Sequence, residues 1–280
     1  MEHINFHPKE QITFMRLVKN KSNLNWESIA RSLNLTRGML FFYLRGKSKI
    51  PKENYEKLCQ IAGIKPEQKS YVIIKNKTQP IKKTVGINKD LAELLGILAG
   101  DGHVSPINYQ LSVTCHIIQD KEYIETYVTK IFNNLFGVNV KIREQLHNNT
   151  IKCVVNSKRL FEFLTRTFKI PIGKKKGKLH IPEQIFNQNK LLSHYLRGLF
   201  DTDGSVYVRR EKSLVLSIAS RDPPFLDEVK KAFIKLGYNP SVSGKNLYLY
   251  RQEQIRRFFN KTGSSNPKHK TRYDSFINKQ

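Results

Sequence analysis

The feature that most constrains this chain is a pattern that occurs twice, about one hundred residues apart. The segments "LLGILAGDG" and "LRGLFDTDG" each place an apolar helical run before an Asp-Gly pair, at Asp101 and Asp203. Further along, Gly137 and Gly237 are 100 residues apart, slightly less than the 102 residues between Asp101 and Asp203. A repeated pattern of this length indicates one folding unit present in two copies, with shorter loops in the second.

Helical and strand patterns alternate through both copies, beginning near residue 88. Helical spacing of apolar residues occurs in "DLAELLGILAG" and "KLLSHYLRGLF", and strand-like runs follow in "YQLSVTCHI" and "LVLSIAS". Each copy ends in a Lys-rich segment, "GKKKGK" or "NPKHKTR". The sequence therefore predicts a duplicated α+β unit, with repeat one at about residues 88–180 and repeat two at about 181–280.

Small residues recur on one face of the helix that opens each repeat. Gly96 and Gly100 are four positions apart, as are Gly198 and Thr202 in the second copy. Residues at this spacing lie one turn apart on the same face, where small side chains let two helix backbones approach closely. If the two helices pack along this face, they end together, and the acids that follow them lie side by side.

Two carboxylates at paired helix ends need a compensating cation. The helix dipole is negative at the C-terminus and the two charges repel, so Asp101 and Asp203 would destabilise each other. Carboxylates and helix-terminal carbonyls suit Mg²⁺ or a similar divalent ion, which binds phosphates and activates water. The alternative, a simple helix stop before a turn, explains one Asp-Gly pair better than two at equivalent places.

The charge of the chain favours a polyanionic partner. There are 49 Lys and Arg residues against 23 Asp and Glu in 280 residues, a net charge of +26. Phosphate neutralisation releases counterions, so nucleic acid is the expected partner; an anionic membrane or a merely solvated basic surface is the alternative. Three scattered cysteines exclude a disulfide framework or a zinc site. With no signal-peptide pattern and no long apolar span, we expect an intracellular protein.

The two nine-residue segments resemble the signature motifs of the LAGLIDADG homing endonucleases in their single-chain, double-motif form. The resemblance covers about residues 88–280 and implies two pseudo-symmetric αββαββα repeats that form a basic, DNA-binding saddle. It implies that Asp101 and Asp203 hold divalent metal, with the carbonyls of Gly100 and Thr202 as further ligands. Ala99 stands where repeat two has Asp201, and since that earlier acid is usually less critical, Asp201 is expected to be dispensable.

The resemblance also supplies weaker expectations for other residues. Side chains around the scissile phosphates are expected near strand ends, and a solvated loop position or a phosphate clamp is the alternative for each; by position they are Gln119, Lys158, Arg221 and Arg251. Basic residues of the strands and of the first Lys-rich segment are expected to contact DNA, namely Arg209, Lys174, Lys175 and Lys176.

The amino-terminal part reads as a small all-α helix-turn-helix domain over residues 1–66, joined by a basic linker at 67–87 with one short strand at "YVII". It resembles the Cro/repressor helix-turn-helix family, with Asn34 at the turn. The resemblance implies that Thr36, Arg37 and Phe41, at the start of the second helix, contact the major groove. An ordinary helical hairpin docked on the main domain is the alternative.

These patterns together predict a metal-dependent endonuclease that cleaves both strands of DNA at a specific site. Two repeats in one chain supply the twofold arrangement that other members obtain by dimerising, so a monomer without a protein partner is expected. The competing hypothesis is a non-cleaving DNA- or RNA-binding protein on the same scaffold, either a transcription regulator or an intron maturase.

Overall fold

The computed structural model describes residues 2–6, 8–66, 71–75, 79–81, 86–210 and 213–279. The chain divides into two compact units, Met1–Lys77 and Thr78–Gln280. Most of the predicted linker at 67–87 lies outside the described residues, and the second unit includes the whole of both predicted repeats. Among the described residues, no helix is both long and apolar enough to cross a bilayer.

In the residues of the first unit that the structure describes, there are four helices and a small sheet. The helices are α1 (Pro8–Ser22), α2 (Trp26–Ser32), α3 (Arg37–Leu44) and α4 (Lys52–Ile61). The strands β1 (Glu2–Phe6), β2 (Ile50–Pro51) and β3 (Tyr71–Lys75) form an antiparallel sheet in the order β2-β1-β3. The expectation of an all-α domain is therefore wrong, because the first residues of the chain pair with the strand predicted at "YVII", far away in sequence.

Helices α2 and α3 join through a short turn, as the pattern predicted. Asn34 has a left-handed backbone (φ 53°), a conformation that Asn tolerates better than most residues. The Thr36 hydroxyl accepts a hydrogen bond from the Met39 amide at 3.3 Å and so caps α3. The inward residues of the two helices are buried: Ile29, Ala30, Leu33, Leu40 and Tyr43.

The second unit consists of two copies of the same arrangement. Repeat one runs through α5 (Lys89–Gly100), β4 (Gly102–Ser105), β5 (Gln110–His116), α6 (Ile117–Glu122), α7 (Thr129–Phe136), β6 (Lys141–Gln145), β7 (Thr150–Asn156) and α8 (Lys158–Thr167). A π-helical stretch, Tyr123–Val128, makes α6 and α7 one continuous helical segment. The short α9 (Glu183–Phe186) precedes repeat two.

Repeat two runs through α10 (Asn189–Asp203), β8 (Gly204–Arg209), β9 (Ser213–Ala219), α11 (Pro223–Lys235), β10 (Ser241–Ser243), β11 (Asn246–Leu249) and α12 (Gln252–Lys261). A last helix, α13 (Pro267–Ile277), follows. The two antiparallel sheets have equivalent strand orders, β4-β5-β7-β6 and β8-β9-β11-β10. The predicted α+β fold with two αββαββα repeats is thereby confirmed.

One apolar core runs through both repeats, with α5 and α10 at its centre. Every residue of α5 from Leu91 to Ala99 is buried. Gly137 and Gly237 end equivalent helices with left-handed backbones, φ 61° and 80°, which explains why glycine is kept at both places. The core faces of the sheets pack on the helices, which leaves the opposite face of each sheet outward.

Candidate active site

The site is built where α5 and α10 end, and their contact depends on missing side chains. A Cβ at Gly96 would collide with the Tyr195 carbonyl oxygen, and one at Gly198 with the Glu93 carbonyl oxygen. A Cβ at Gly100 would collide with the Thr202 hydroxyl. The close packing predicted from the small-residue pattern is therefore present, and the two helices end together.

The glycine after each acid is required by close approach rather than by an unusual backbone angle. A Cβ at Gly102 would collide with the Leu98 carbonyl oxygen, and one at Gly204 with that of Phe200. Neither glycine has a positive φ. Each strand can therefore begin at the glycine directly after the acid. This fixes Asp101 and Asp203 at the junction of helix and sheet.

The two acids are brought together as predicted. A Cβ built on Gly100 would lie 3.4 Å from the Asp203 carboxyl carbon. Burial raises the pKa of Asp203, and the charge of Asp101 raises it further. Burial likewise raises the pKa of Asp101, although a hydrogen bond from Cys115 at 3.3 Å opposes the effect. Burial is the largest cause in both cases, and the charge of Lys175 lowers both pKa values without cancelling it.

Lys175 places a positive charge beside this pair and lowers the pKa of both acids. Its ammonium donates hydrogen bonds to the carbonyls that end α5, at 2.9 Å to Ala99 and 3.3 Å to Leu98, and also to Gly100. Burial lowers the pKa of Lys175, while the charges of Asp203 and Asp101 raise it. One member of the predicted DNA-contacting set thus lies at the acid pair itself.

The segment that carries Lys175 is held by both repeats. The Gly173 amide donates to the Val104 carbonyl in repeat one at 2.8 Å. The Gly177 amide donates to the Asp222 carboxylate in repeat two at 2.6 Å. Asp222 is 2% exposed, and its other carboxylate oxygen is buried without a partner. Burying a carboxylate with one unpartnered oxygen costs free energy. The hydrogen bond from the Gly177 amide to the other oxygen is therefore important for the stability of this arrangement.

Replacing Asp222 should release this segment. In Asp222→Ala we expect hydrogen exchange at the Gly177 amide to accelerate by about tenfold or more, because a hydrogen bond to a charged group is worth about 1.5–3 kcal/mol. Asp222→Asn keeps an acceptor oxygen and should retain most of the protection. Mass spectrometry of peptides covering 173–178 measures the effect. Equal protection in the alanine variant and the wild type would contradict the assigned anchor.

The donor set fits a divalent cation that takes part of its coordination from elsewhere. Within the described ranges, no group of three or more His, Cys, Asp and Glu side chains is arranged to hold a metal ion. Two carboxylates and the terminal carbonyls of Gly100 and Thr202 would leave several positions for water or phosphate, as Mg²⁺ prefers. Burial raises the pKa values of both acids, and a bound cation would stabilise their charged forms.

The other acid of the second motif, Asp201, lies in a different environment. It is 1% exposed and accepts hydrogen bonds from the Ser264 hydroxyl at 2.5 Å and the Ser265 amide at 2.8 Å. Burial raises its pKa to about 7 despite these bonds. Asp201 therefore binds the segment before α13, a structural contact that the sequence did not indicate, and its expected dispensability for cleavage stays a prediction.

A buried ion pair, not anticipated from sequence, lies at the same interface. Glu93 of α5 accepts a hydrogen bond from Arg197 Nε of α10 at 2.9 Å, and others from Tyr127 and Ser265. Burial raises the pKa of Glu93, but hydrogen bonding to His194 and the charge of Arg197 outweigh it and lower the value. Glu93 is therefore a fixed anion that joins the two repeats.

The second Lys-rich segment also places a lysine close to acidic side chains of repeat one. Lys268, at the start of α13, forms an ion pair of 2.7 Å with Asp120, and its charge lowers the pKa of Asp101. Asn266 is buried, caps α13 and donates to Asp120 at 2.8 Å. The sequence signal was an Asn-Pro pair, since Asn caps helices and Pro is favoured in the first turn.

The remaining predicted residues lie on the surface. Gln119 is exposed on α6, Lys158 begins α8 with its ammonium 5.6 Å from the centre of the Tyr109 ring, and Arg221 precedes α11. The other four predicted side chains are also exposed, namely those of Arg251, Arg209, Lys174 and Lys176. No hydrogen bond or ion pair draws these seven residues to the acid pair, so their roles stay predictions.

In the first unit, the predicted contacts lie at the start of α3. Thr36 is exposed but uses its hydroxyl as the cap. Arg37 is exposed, with its guanidinium 5.7 Å from the centre of the Phe41 ring. Phe42, which the pattern did not single out, is 51% exposed on the same helix. These side chains give the helix a basic and aromatic surface.

Solved structures similar to this chain include mesophilic variants of the homing endonuclease I-DmoI, at 15% identity with a TM-score of 0.47, covering 62% of this chain and 95% of that one. The N-terminal LAGLIDADG domain of DUF199/WhiA is similar at 17% identity with a TM-score of 0.46, covering 65% and 87%.

Two curated relatives are much longer than this chain. Glutamine–fructose-6-phosphate aminotransferase of Methanocaldococcus jannaschii is 28% identical over 232 residues, 82% of this chain and 20% of its own length. The replication factor C small subunit of the same organism is 32% identical over 152 residues, which is 54% of this chain and 8% of its own length. The chain thus spans at most a fifth of these relatives. The family match is narrower, since residues 190–263 match the LAGLIDADG-like domain.

Proposed function

We propose that this chain is a site-specific endonuclease that hydrolyses phosphodiester bonds in double-stranded DNA. The observation that carries the proposal is the half-buried pair Asp101 and Asp203 at the ends of two packed helices, with raised pKa values. Two carboxylates in this position are unfavourable unless the site binds a cation, and a divalent ion held there would leave coordination positions for phosphate. A net charge of +26 supports a polyanionic substrate.

Each group at the site has a chemical role in this proposal. Asp101, Asp203 and the carbonyls of Gly100 and Thr202 would hold Mg²⁺ or another divalent ion, which lowers the pKa of bound water and neutralises phosphate charge. Lys175 places a positive charge beside the acids, where it would contact a phosphate or the leaving oxygen. Gly102 and Gly204 keep the acids at the start of the sheets, close to the nucleic acid.

The relatives described above also support a separable activity. An aminotransferase and a replication factor subunit share no substrate, and each matches this chain over a small part of its length. We infer that the shared part is a module with its own function rather than a contribution to either of those activities. A nuclease that propagates its own coding sequence is such a module.

The amino-terminal unit would provide a second DNA-binding surface. The proposal assigns the helix-turn-helix role to α2 and α3, with Thr36, Arg37 and Phe41 facing the major groove. Arg37 and the rings of Phe41 and Phe42 provide a charge and apolar surface for that contact. With two repeats in one chain, the protein would act as a monomer.

The test is cleavage of a plasmid library that carries randomised inserts, with Mg²⁺ and with EDTA. We expect linear product from a defined subset of inserts only when Mg²⁺ is present. Sequencing of the cut ends would then locate both scissile bonds. If the protein enriches a defined duplex by binding yet never nicks it in Mg²⁺ or Mn²⁺, the endonuclease proposal is wrong.

One observation favours the competing hypothesis of a non-cleaving nucleic-acid-binding protein. The Lys175 ammonium already occupies the carbonyl oxygens that end α5, including that of Gly100. A lysine fixed there would replace the cation by its own charge and leave a scaffold that binds without cutting. Tight, specific binding without nicking is the result that this second function predicts.

A further inference from the structure

The outward faces of the two sheets carry different chemistry. In each sheet, alternate residues point away from the core, and the register identifies them. The outward face of the first sheet bears basic and polar side chains, among them Lys141, Arg143, Lys152, His103 and Gln110. The outward face of the second bears mainly serines and tyrosines, with Arg209 as its only charged residue on the described strands.

Three tyrosines form a patch on that second face. Tyr207 lies opposite Val215 in the β8–β9 pairing, and Tyr248 lies opposite Ser217 in the β9–β11 pairing. Tyr248 and Tyr250 stack with ring centres 5.4 Å apart and 14° between their planes. Tyr207 is close enough to both that they raise its pKa, after the larger effect of burial. The three side chains therefore lie near one another on the same face of the sheet.

The patch is apolar but open. Val215 is 1% exposed although it does not belong to the main core, so it is covered on the outward side. Tyr207 and Tyr250 are 43% and 46% exposed, which leaves much of each ring available to a partner. Within the described strands, no acidic side chain lies on this face.

Duplex DNA offers one apolar group in the major groove, the methyl group of thymine. Guanine is bound best by Arg or Lys, and cytosine by an acidic acceptor. On its described strands, the second face offers Arg209 for guanine and no acidic side chain for cytosine. Aromatic rings and small hydroxyls instead match the methyl group and the O4 acceptor of thymine. The first face, with Arg143 and Lys152, matches guanine and phosphate.

Resting on the endonuclease proposal, we propose that Tyr207, Tyr248 and Tyr250 recognise thymine methyl groups. The half of the target bound by repeat two is accordingly rich in A·T pairs, and the half bound by repeat one contains G·C pairs contacted by Arg143 and Lys152. The two halves of the target are then unlike, although the two repeats share one fold.

The experiment uses the full chain and duplexes selected from a randomised library in Ca²⁺. In the selected duplex, deoxyuridine replaces thymidine in one half at a time, which removes the methyl groups and leaves base pairing intact. We expect about a tenfold loss of affinity when the substitution lies in one half, and less than about twofold in the other. Tyr207→Ser should weaken binding and reduce the difference between thymidine and deoxyuridine in the sensitive half.

Matched variants separate methyl recognition from other roles of the ring. Tyr207→Phe keeps the ring and should keep the discrimination. If it instead weakens binding equally for both duplexes, the hydroxyl contacts phosphate and the inference is overturned. Arg143→Gln should alter base preference only in the insensitive half, which assigns the halves to the repeats. Because Tyr207 is exposed, thermal unfolding should be unchanged in each Tyr207 variant.

The failure of this inference is distinguishable from that of the proposed function. If a duplex is selected and cleaved in Mg²⁺ but is insensitive to deoxyuridine in both halves, only the thymine assignment is wrong. If no duplex is selected or cleaved, both proposals are wrong. Binding of single-stranded oligonucleotides that needs the tyrosines, without duplex binding, would show a base-stacking surface instead and overturn the inference.

Discussion

Asp101→Asn and Asp203→Asn are each expected to lower the cleavage rate by on the order of a hundredfold to a thousandfold while DNA binding is retained. Each change removes one anionic ligand and leaves a side chain of the same size, so the loss falls on charge stabilisation in the transition state. Relief of the repulsion between the two acids should leave the metal-free fold at least as stable. The measurements are single-turnover cleavage in Mg²⁺ and binding in Ca²⁺.

The matched control for these variants is Asp227→Asn, which removes an exposed carboxylate paired with Lys231 on α11. We expect its cleavage rate to equal that of the wild type. A second readout is thermal unfolding, where Mg²⁺ should stabilise the wild type and the control but not the two site variants. If both site variants cleave at the wild-type rate, the acid pair is not the metal centre and the mechanism fails.

Gly198→Ala is expected to destabilise the second unit, although alanine normally stabilises a helix by about 1 kcal/mol relative to glycine. The new Cβ would collide with the Glu93 carbonyl oxygen and lie 2.9 Å from the Ile97 amide nitrogen, so α5 and α10 would have to separate. Overpacking of this kind costs about 1–3 kcal/mol or more. Hydrogen exchange in α5 and α10 should accelerate by about tenfold or more.

Gly38→Ala supplies the opposite expectation in the same experiment. Gly38 also lies within a helix, but a Cβ there would meet nothing within 4 Å. Its helix should therefore become more protected from exchange, because only the intrinsic preference for alanine acts. The same sign of change at both glycines would refute the view that α5 and α10 pack by backbone contact.

The repeat and its acid pair could be predicted because they depend on local spacing. Residues four apart share a helix face whatever surrounds them, so Gly96 with Gly100 and Gly198 with Thr202 indicated the packing face. The duplication then predicted that the two acids lie together, and this prediction needed no information about the rest of the fold. Both parts of the prediction required only periodicity and symmetry.

What sequence reasoning missed depends on contacts between distant segments. Strand β1 has five residues and gains its partners from β2 and β3, which no local pattern reveals. The buried pair of Glu93 and Arg197 joins positions about one hundred residues apart, and an acid in an apolar helix gives no sign of its partner. The role of Asp201 was hidden for the same reason, since its donors lie beyond α12.

The end segments of the repeats have a consequence for recombining the two halves. Gly177, at the end of repeat one, is bound by Asp222 of repeat two. In return, Ser265 and Asn266 of repeat two bind Glu93 and Asp120 of repeat one. Each half therefore completes its partner with its own end segment, and the two receiving acids Asp120 and Asp222 have the same spacing of about one hundred residues as Asp101 and Asp203. A chimera would need to exchange each end segment together with the acid that receives it.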